Sequence, residues 1–144
     1  MTDPIRLLLA DDQQMVRAGF RLVLDAQPDM SVVGEANDGA EALQLVDELA
    51  PDVVLMDIRM PVLDGLGATE KIMTSHPEAK ILVLTTFDLD EYVHSALRAG
   101  ASGFMLKDAG PTELLAAIRA VRDGDSVVAP SATRRLIERF IPRP

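Results

Sequence analysis

Short apolar runs alternate with segments of helical periodicity along most of the chain. Most of the runs are continuous, without the polar–apolar alternation of a half-exposed strand, which is typical of strands covered on both faces. They lie at Ile5–Ala10, Ser31–Ala36, Val53–Met56, Ile81–Leu84 and Gly103–Leu106. After each run, apolar residues recur every three or four positions, as in amphipathic helices. Five strand–helix units in series predict an α/β fold, a doubly wound parallel sheet with right-handed crossovers and helices on both faces.

Helix start and stop signals agree with this pattern. Asp38 and Glu41 have the spacing of a capping box at the start of the second helix. Gly100 is a stop signal for the fourth helix. Pro111 fits the first turn of the fifth helix, and Gly124 can close it. These signals predict helix ends at the same places as the hydrophobic periodicity does.

The third helix, from about Asp64 to Ser75, has the weakest pattern because Gly65 and Gly67 disfavour a helix. Its first residues resemble part of a glycine-rich dinucleotide-binding turn. They lack the third glycine, however, and seven residues separate Asp57 from Gly65, whereas the Rossmann turn is tight. We therefore reject nucleotide binding and interpret the two glycines as residues that keep the preceding loop mobile.

The pattern changes after Gly124. Residues 125–130 have the character of an extended segment or loop, and a short helix is predicted over Ala132–Phe140, with Ser131 as its cap. The segment is too short for a domain, which needs about 50 residues. The sequence thus predicts one domain at residues 1–124 and a linker or tail at residues 125–144.

Composition and charge exclude several functional classes. The net charge is −9, and residues 1–125 hold 22 acidic and 10 basic side chains, so direct binding of nucleic acid by this body is not expected. Residues 126–144 carry four arginines and one glutamate, and we interpret the arginines as a solvated face. There is no cysteine, which rules out disulfides and thiolate metal sites. No apolar run is long enough to span a bilayer, and we expect a cytoplasmic protein without membrane association.

Polar residues of complementary chemistry follow four of the five predicted strands. Asp11 and Asp12 follow the first strand, Asp57 the third, Thr85 the fourth and Lys107 the fifth. Ligands of open parallel sheets bind beyond the carboxyl ends of the strands. Three carboxylates converging there repel one another unless a hard divalent cation such as Mg²⁺ lies between them. A lysine and a hydroxyl then suit a phosphoryl group, and an aspartate can accept it as an aspartyl phosphate.

Each of these residues also has an ordinary structural interpretation. A single aspartate at a strand end is more often a turn or helix-cap residue, and a single lysine usually lies on the surface. A purely structural explanation becomes much weaker for all five together, because they follow the strands whose ends meet at one edge of the sheet.

The chain resembles the receiver domain of bacterial two-component response regulators. The matching segments are Leu8-Leu-Ala-Asp-Asp12, Asp52-Val-Val-Leu-Met-Asp-Ile-Arg-Met-Pro61 with Asp64-Gly65, Ile81-Leu-Val-Leu-Thr-Thr86 and Ala99-Gly-Ala-Ser-Gly-Phe-Met-Leu-Lys107. The resemblance implies a flavodoxin-like five-stranded sheet in the order 2-1-3-4-5. Residues 107–119 and the tail are similar to the NarL-like subfamily, which carries a C-terminal LuxR-type helix-turn-helix.

The resemblance also implies the roles of the site residues. Asp57 would be the phosphoacceptor, with a histidine kinase as the phosphodonor. Asp11 and Asp12 would bind Mg²⁺ together with Asp57 and the backbone carbonyl of Arg59. Lys107 would contact the phosphoryl group. The protein would catalyse only its own phosphorylation and dephosphorylation, and would not be an enzyme acting on other substrates.

The resemblance further implies a switch. Thr85 would be the switch hydroxyl and Phe104 the switch aromatic, which would alter the surface of the fourth helix, fifth strand and fifth helix. That surface would support a phosphorylation-dependent homodimer or control of a transcriptional output domain. DNA would be bound only through a C-terminal domain that this chain does not contain.

Two positions depart from the usual receiver pattern. Asp108 follows the lysine where most receivers have proline, and we expect a trans peptide there because a non-proline cis bond costs about 2.5–4 kcal/mol. Phe104 stands where tyrosine is commoner, so the side chain has no hydroxyl to donate at either of its positions.

Two other functions share part of this pattern. An aspartate-nucleophile phosphatase of the haloacid dehalogenase class would need a general acid two residues after the nucleophile, but Arg59 stands there and cannot donate a proton at neutral pH. A phosphorylation-independent receiver that only binds proteins would not need the complete set of Asp11, Asp12, Asp57, Thr85 and Lys107.

Overall fold

The computed structural model describes residues 3–86, 90–125 and 127–128, and within them it has the predicted alternation of strands and helices. The strands are β1 (Ile5–Ala10), β2 (Met30–Ala36), β3 (Val53–Asp57), β4 (Ile81–Thr85), β5 (Gly103–Leu106) and β6 (Val127–Val128). The helices are α1 (Gln14–Asp25), α2 (Gly39–Leu49), α3 (Gly65–Ser75), α4 (Asp90–Arg98) and α5 (Pro111–Arg122).

All the strands pair in parallel, in the order β2-β1-β3-β4-β5-β6. The predicted order 2-1-3-4-5 is confirmed. The structure adds the two-residue strand β6, which pairs with Gly103 and Phe104 of β5 and lies beyond the predicted domain boundary at residue 124.

Successive residues of the central strands are buried on opposite faces of the sheet, which explains the continuous apolar runs. Leu8, Val54 and Val83 face one core with residues of α2, α3 and α4. Leu7 and Val53 face a second core with residues of α1 and α5. The helices thus cover both faces of the sheet, as predicted.

Side-chain caps fix two helices next to the carboxyl edge of the sheet. Asp38 Oδ1 accepts a hydrogen bond from the Glu41 amide at 2.8 Å, so the predicted cap of α2 is confirmed. Asp64 Oδ1 accepts one from the Gly67 amide at 2.7 Å and starts α3. Both caps satisfy amides that otherwise have no partner in the first turn of a helix.

Gly65 has a steric role, which our interpretation of the two glycines as residues that keep the loop mobile did not include. A Cβ atom on Gly65 would lie 1.8 Å from the backbone oxygen of Asp57. The Gly65 amide also donates to the backbone oxygen of Ile58 at 2.8 Å. The first turn of α3 therefore packs directly on the backbone that carries Asp57, and only glycine leaves room for it.

The loop between β3 and α3 contains a tight turn at Val62. The Leu63 amide donates to the backbone oxygen of Pro61 at 2.7 Å, and Val62 between them has φ of +70°. This is a rare conformation for a β-branched residue. The Val62 side chain is exposed beside the carboxyl edge of the sheet.

Three further expectations concern the peptide bond before Asp108, membrane-spanning helices and the helix of the tail. Within the described residues no peptide bond is cis, so the bond between Lys107 and Asp108 is trans as predicted. None of the described helices is long and apolar enough to cross a membrane. The predicted helix at Ala132–Phe140 lies outside the described residues.

Candidate functional site

The ends of β1, β3 and β5 bring three carboxylates and one ammonium group together. One carboxylate oxygen each of Asp11, Asp12 and Asp57 lies within 4.8 Å of the others. Asp11 and Asp57 are buried, whereas Asp12 is exposed at the mouth of the site. Of the site residues predicted from the sequence, these three and Lys107 therefore form one cluster.

Lys107 contacts two of the carboxylates at once. Its Nζ lies 2.6 Å from Asp11 Oδ2 and 3.2 Å from Asp57 Oδ1. The lysine side chain is only 12% exposed. Water competes little for the ammonium, so these contacts are stronger than those of a surface ion pair.

The proton equilibria of the site reflect crowding of negative charge. The pKa of Asp57 is raised to about 6: burial raises it most, Lys107 opposes the rise, and the nearby charges of Asp11 and Asp12 add to it. Burial by itself would lower the pKa of Lys107, but its contacts with Asp11 and Asp57 outweigh burial, and the pKa of Lys107 is raised. The site thus keeps its cation charged and resists a third negative charge.

Both the side chain and the backbone of Asp11 are held in place. Asp11 Oδ1 accepts a hydrogen bond from the Gln13 amide at 2.9 Å. Arg17 Nη1 donates to the backbone oxygen of Asp11. Arg17 is not among the site residues predicted from the sequence. Its position three residues before Phe20 and seven before Leu24, on the buried face of α1, is the signal that could have identified it.

Thr85 ends β4 at the same edge, whereas Phe104 lies further back along the neighbouring strand β5. Thr85 is buried, and its backbone oxygen accepts from the Lys107 amide at 2.8 Å. Phe104 is fully buried beside Val83 and packs in the core that includes Val93 and Ala96 of α4. The structure therefore places the predicted switch aromatic in its buried position.

Arg59 lies on the outer side of the site. Arg59 is exposed in the loop after β3. Together with Asp12 and Asp64, it lines a surface depression of about 510 Å³. Asp12 is the member of the carboxylate cluster that lines this depression.

The residues present fit a hard divalent cation. Three carboxylates with ligand atoms within 4.8 Å offer only oxygen donors, which is the donor set that Mg²⁺ prefers. Asp11, Asp12 and Asp57 would hold it, and the exposure of Asp12 leaves room for the water ligands that Mg²⁺ retains.

Comparison with protein families identifies the family to which this chain belongs. Residues 7–119 match the family model described as "Response regulator receiver domain". The chain is a response regulator receiver domain. Response regulators are in general signalling proteins rather than classical enzymes. The acidic cluster of this receiver is compatible with Mg²⁺.

Close homologues of this receiver are response regulators of the NarL/LuxR family. It is 48% identical over 135 residues to an uncharacterized transcriptional regulatory protein, YxjL, of Bacillus subtilis, covering 94% of this chain and 62% of the relative. It is 48% identical over 138 residues to the oxygen regulatory protein NreC of Staphylococcus aureus, covering 95% of this chain and 64% of NreC. The receiver thus spans less than two thirds of these relatives.

Solved structures agree with this placement. A LuxR-family two-component response regulator from Aurantimonas sp. SI85-9A1 superposes with a TM-score of 0.91 at 34% identity, covering 97% of this chain and 100% of the other. The signal receiver domain of the putative response regulator NarL from Mycobacterium tuberculosis superposes with a TM-score of 0.82 at 35% identity, covering 85% and 99%.

Proposed function

We propose that this receiver is a phosphorylation-activated switch that accepts a phosphoryl group on Asp57 from a histidine kinase in a Mg²⁺-dependent reaction. The observation that supports this most directly is the buried Asp57 carboxylate with Lys107 Nζ at 3.2 Å and two further carboxylates within 4.8 Å. The phosphoryl group would control a C-terminal DNA-binding domain, since the relatives of this chain include longer transcriptional regulators.

The reaction requires Asp57 in its ionised form. One oxygen of Asp57 forms the new bond to phosphorus as the bond between phosphorus and the kinase histidine nitrogen breaks, and the departing imidazole takes up a proton. With a pKa of about 6, most Asp57 side chains are ionised near neutral pH. The buried carboxylate is little solvated, so it loses few hydrogen bonds to water when it attacks.

The other residues stabilise the transferred group. Mg²⁺, when bound by the three carboxylates, would neutralise charge on the phosphoryl oxygens. The Lys107 ammonium already lies beside Asp57 and can pair with another phosphoryl oxygen. The Thr85 hydroxyl lies at the end of the neighbouring strand, where it can donate to a third oxygen.

Replacing Asp12 with asparagine is expected to raise the Kd for Mg²⁺ about tenfold, because a charged oxygen ligand is lost from the cluster. Phosphorylation by acetyl phosphate should slow in parallel at limiting Mg²⁺. Isothermal titration calorimetry and intact mass spectrometry measure the two effects. Asp108→Asn is the matched control, since it removes an equally exposed carboxylate that is not among the three clustered ones.

Chelation distinguishes this metal site from a structural one. The core packs without involving the carboxylates, so EDTA should abolish phosphorylation and leave the thermal unfolding midpoint of the wild type nearly unchanged. Unfolding on chelation, or an unchanged Kd in Asp12→Asn, would contradict the proposed role of the cluster.

The output would pass through Thr85 and Phe104 to the surface of α4, β5 and α5, on which a homodimer would form. Thr85→Ala should still be phosphorylated on Asp57 but should self-associate more weakly. The variant lacks the hydroxyl that would move to hydrogen-bond the phosphoryl group. The coupling is expected to be about 1–3 kcal/mol. Sedimentation with and without beryllofluoride measures it, and Thr86→Ala, at the exposed next residue, is the control. Equal responses of wild type and Thr85→Ala would refute the role of the hydroxyl.

A further inference from the structure

Arg17 is a buried charged residue that phosphoryl transfer as described above does not use. Its side chain is only 9% exposed, although it belongs to α1 on the edge of the site. Arginine remains charged under all ordinary conditions, and a buried guanidinium is costly unless its donors are paired. The arrangement of its partners therefore indicates what it does.

Two partners on different elements hold the guanidinium. Nη1 donates to the backbone oxygen of Asp11 at the end of β1, and Nε lies 3.1 Å from Glu35 Oε1 on β2. The second oxygen of Glu35 is bound by Arg21 at 2.6 Å. Arg17 thus connects α1, β1 and β2 at the point where the acidic pair begins.

The contact with Asp11 bears directly on the metal ligands. The backbone oxygen of Asp11 belongs to the planar peptide that joins Asp11 to Asp12, so its orientation sets the directions in which both side chains leave the chain. Asp11 Oδ1 is already held by the Gln13 amide, and the Arg17 amide donates to the backbone oxygen of Gln13 at 3.1 Å. The arginine completes a set of bonds that fixes this turn.

Arg17 also lies close to the acceptor itself. Asp11, Arg17 and Asp57 line one small cavity of about 10 Å³. That volume is room for about one water molecule, so no larger ligand can occupy the space beside the guanidinium. Arg17 therefore acts on neighbouring groups of the protein and not on a bound ligand.

We propose that Arg17, held by Glu35, is a positioning residue for the divalent cation: it fixes the Asp11–Asp12 peptide so that both carboxylates meet the ion. The inference rests on the proposed function, because it assumes that this cluster binds Mg²⁺. Groups that orient metal ligands from outside the ligand shell are commonly worth 10–100-fold in metal affinity.

The test compares Arg17→Gln with the wild type and with Arg21→Gln. Arg21 also binds Glu35, but it is exposed and does not contact Asp11, so its loss serves as the matched control. Calorimetry should show an increase of about tenfold in the Mg²⁺ Kd of Arg17→Gln and little change in Arg21→Gln. In EDTA, the Gln13 amide of Arg17→Gln should also exchange its hydrogen faster, because the turn is released.

Arg17→Lys separates charge from geometry. Lysine keeps the buried charge but brings a single ammonium to two acceptors, so its Mg²⁺ Kd should stay at least about threefold above that of the wild type. This variant decides the matter if Arg17→Gln does not fold. A wild-type Kd in either folded variant would overturn the inference, even if its thermal stability is reduced.

The two proposals fail differently. A wild-type protein that binds no Mg²⁺ would refute the proposed function and this inference together. A wild type that binds Mg²⁺ and is phosphorylated, beside an Arg17→Gln protein with the same Kd, would refute only the positioning role.

Discussion

Asp57→Asn should take up no phosphoryl group and, without metal, should be more stable than the wild type above about pH 6. Asparagine cannot form the acyl phosphate, and Asp57 is the carboxylate that faces both Lys107 and the acidic pair. Intact mass after treatment with acetyl phosphate and Mg²⁺ measures the first effect. Phosphorylation of the variant to the wild-type extent would contradict the assignment.

The stability effect follows from the raised pKa of Asp57. Between its unfolded value of 3.8 and its folded value of about 6, the folded state holds a proton that the unfolded chain has released. The free energy of unfolding of the wild type therefore falls as pH rises through this range, and the loss is complete above it. Asparagine removes the loss, so the variant should gain roughly 1–2 kcal/mol near neutral pH and nothing below about pH 4.

Urea unfolding of both proteins in EDTA at several pH values measures this difference. Asp108→Asn is the control, because its exposed carboxylate lies outside the cluster. An Asp57→Asn protein that is less stable than the wild type near neutral pH would show that the ionised carboxylate is favoured in the fold.

Gly65→Ala should destabilise the protein by about 3 kcal/mol and slow its phosphorylation. The added Cβ would lie 1.8 Å from the backbone oxygen of Asp57 and 3.0 Å from the Cα of Ile58. Both are backbone atoms, so no rotamer change relieves the clash, and either α3 or the end of β3 must move. Chemical denaturation and the rate of phosphorylation by acetyl phosphate measure the two effects.

Gly19→Ala is a control with the opposite expected sign. Gly19 lies within α1, and a Cβ there would meet no atom within 4 Å. Alanine is the better helix former, so this variant should gain up to about 1 kcal/mol. A Gly65→Ala protein with wild-type stability would show that α3 can shift on the sheet at little cost.

The sequence is informative about strand ends because a parallel sheet brings them to one edge. Asp11, Asp57 and Lys107 are each recognisable as the residue that ends or follows a buried run, and the fold determines that they meet. The fold class and the composition of the cluster could therefore be predicted from the residues, whereas the strand order was implied by the resemblance to receiver domains. The sequence shows which residues meet at this edge, but it does not give the distances between their side chains.

Features that depend on contacts between elements could not be predicted in this way. The pairing of Arg17 with Glu35 joins residues 18 apart on α1 and β2, and neither position carries a local signal for the other. The close approach of Gly65 to Asp57 is set by how α3 packs, which glycine content alone does not reveal. The β6 pairing depends on where the chain passes after α5.

Strand β6 has a consequence for the edge of the sheet. It covers Gly103 and Phe104 of β5, whose backbone groups on that side would otherwise face solvent as an open pairing edge. A shortened chain ending at residue 124 would lose this cover and present a bare strand to other molecules, which favours strand addition and aggregation. The same two residue pairs tether residues 127 and 128 to the strand that carries Phe104. A shift of β5 would therefore move residues 127 and 128 with it.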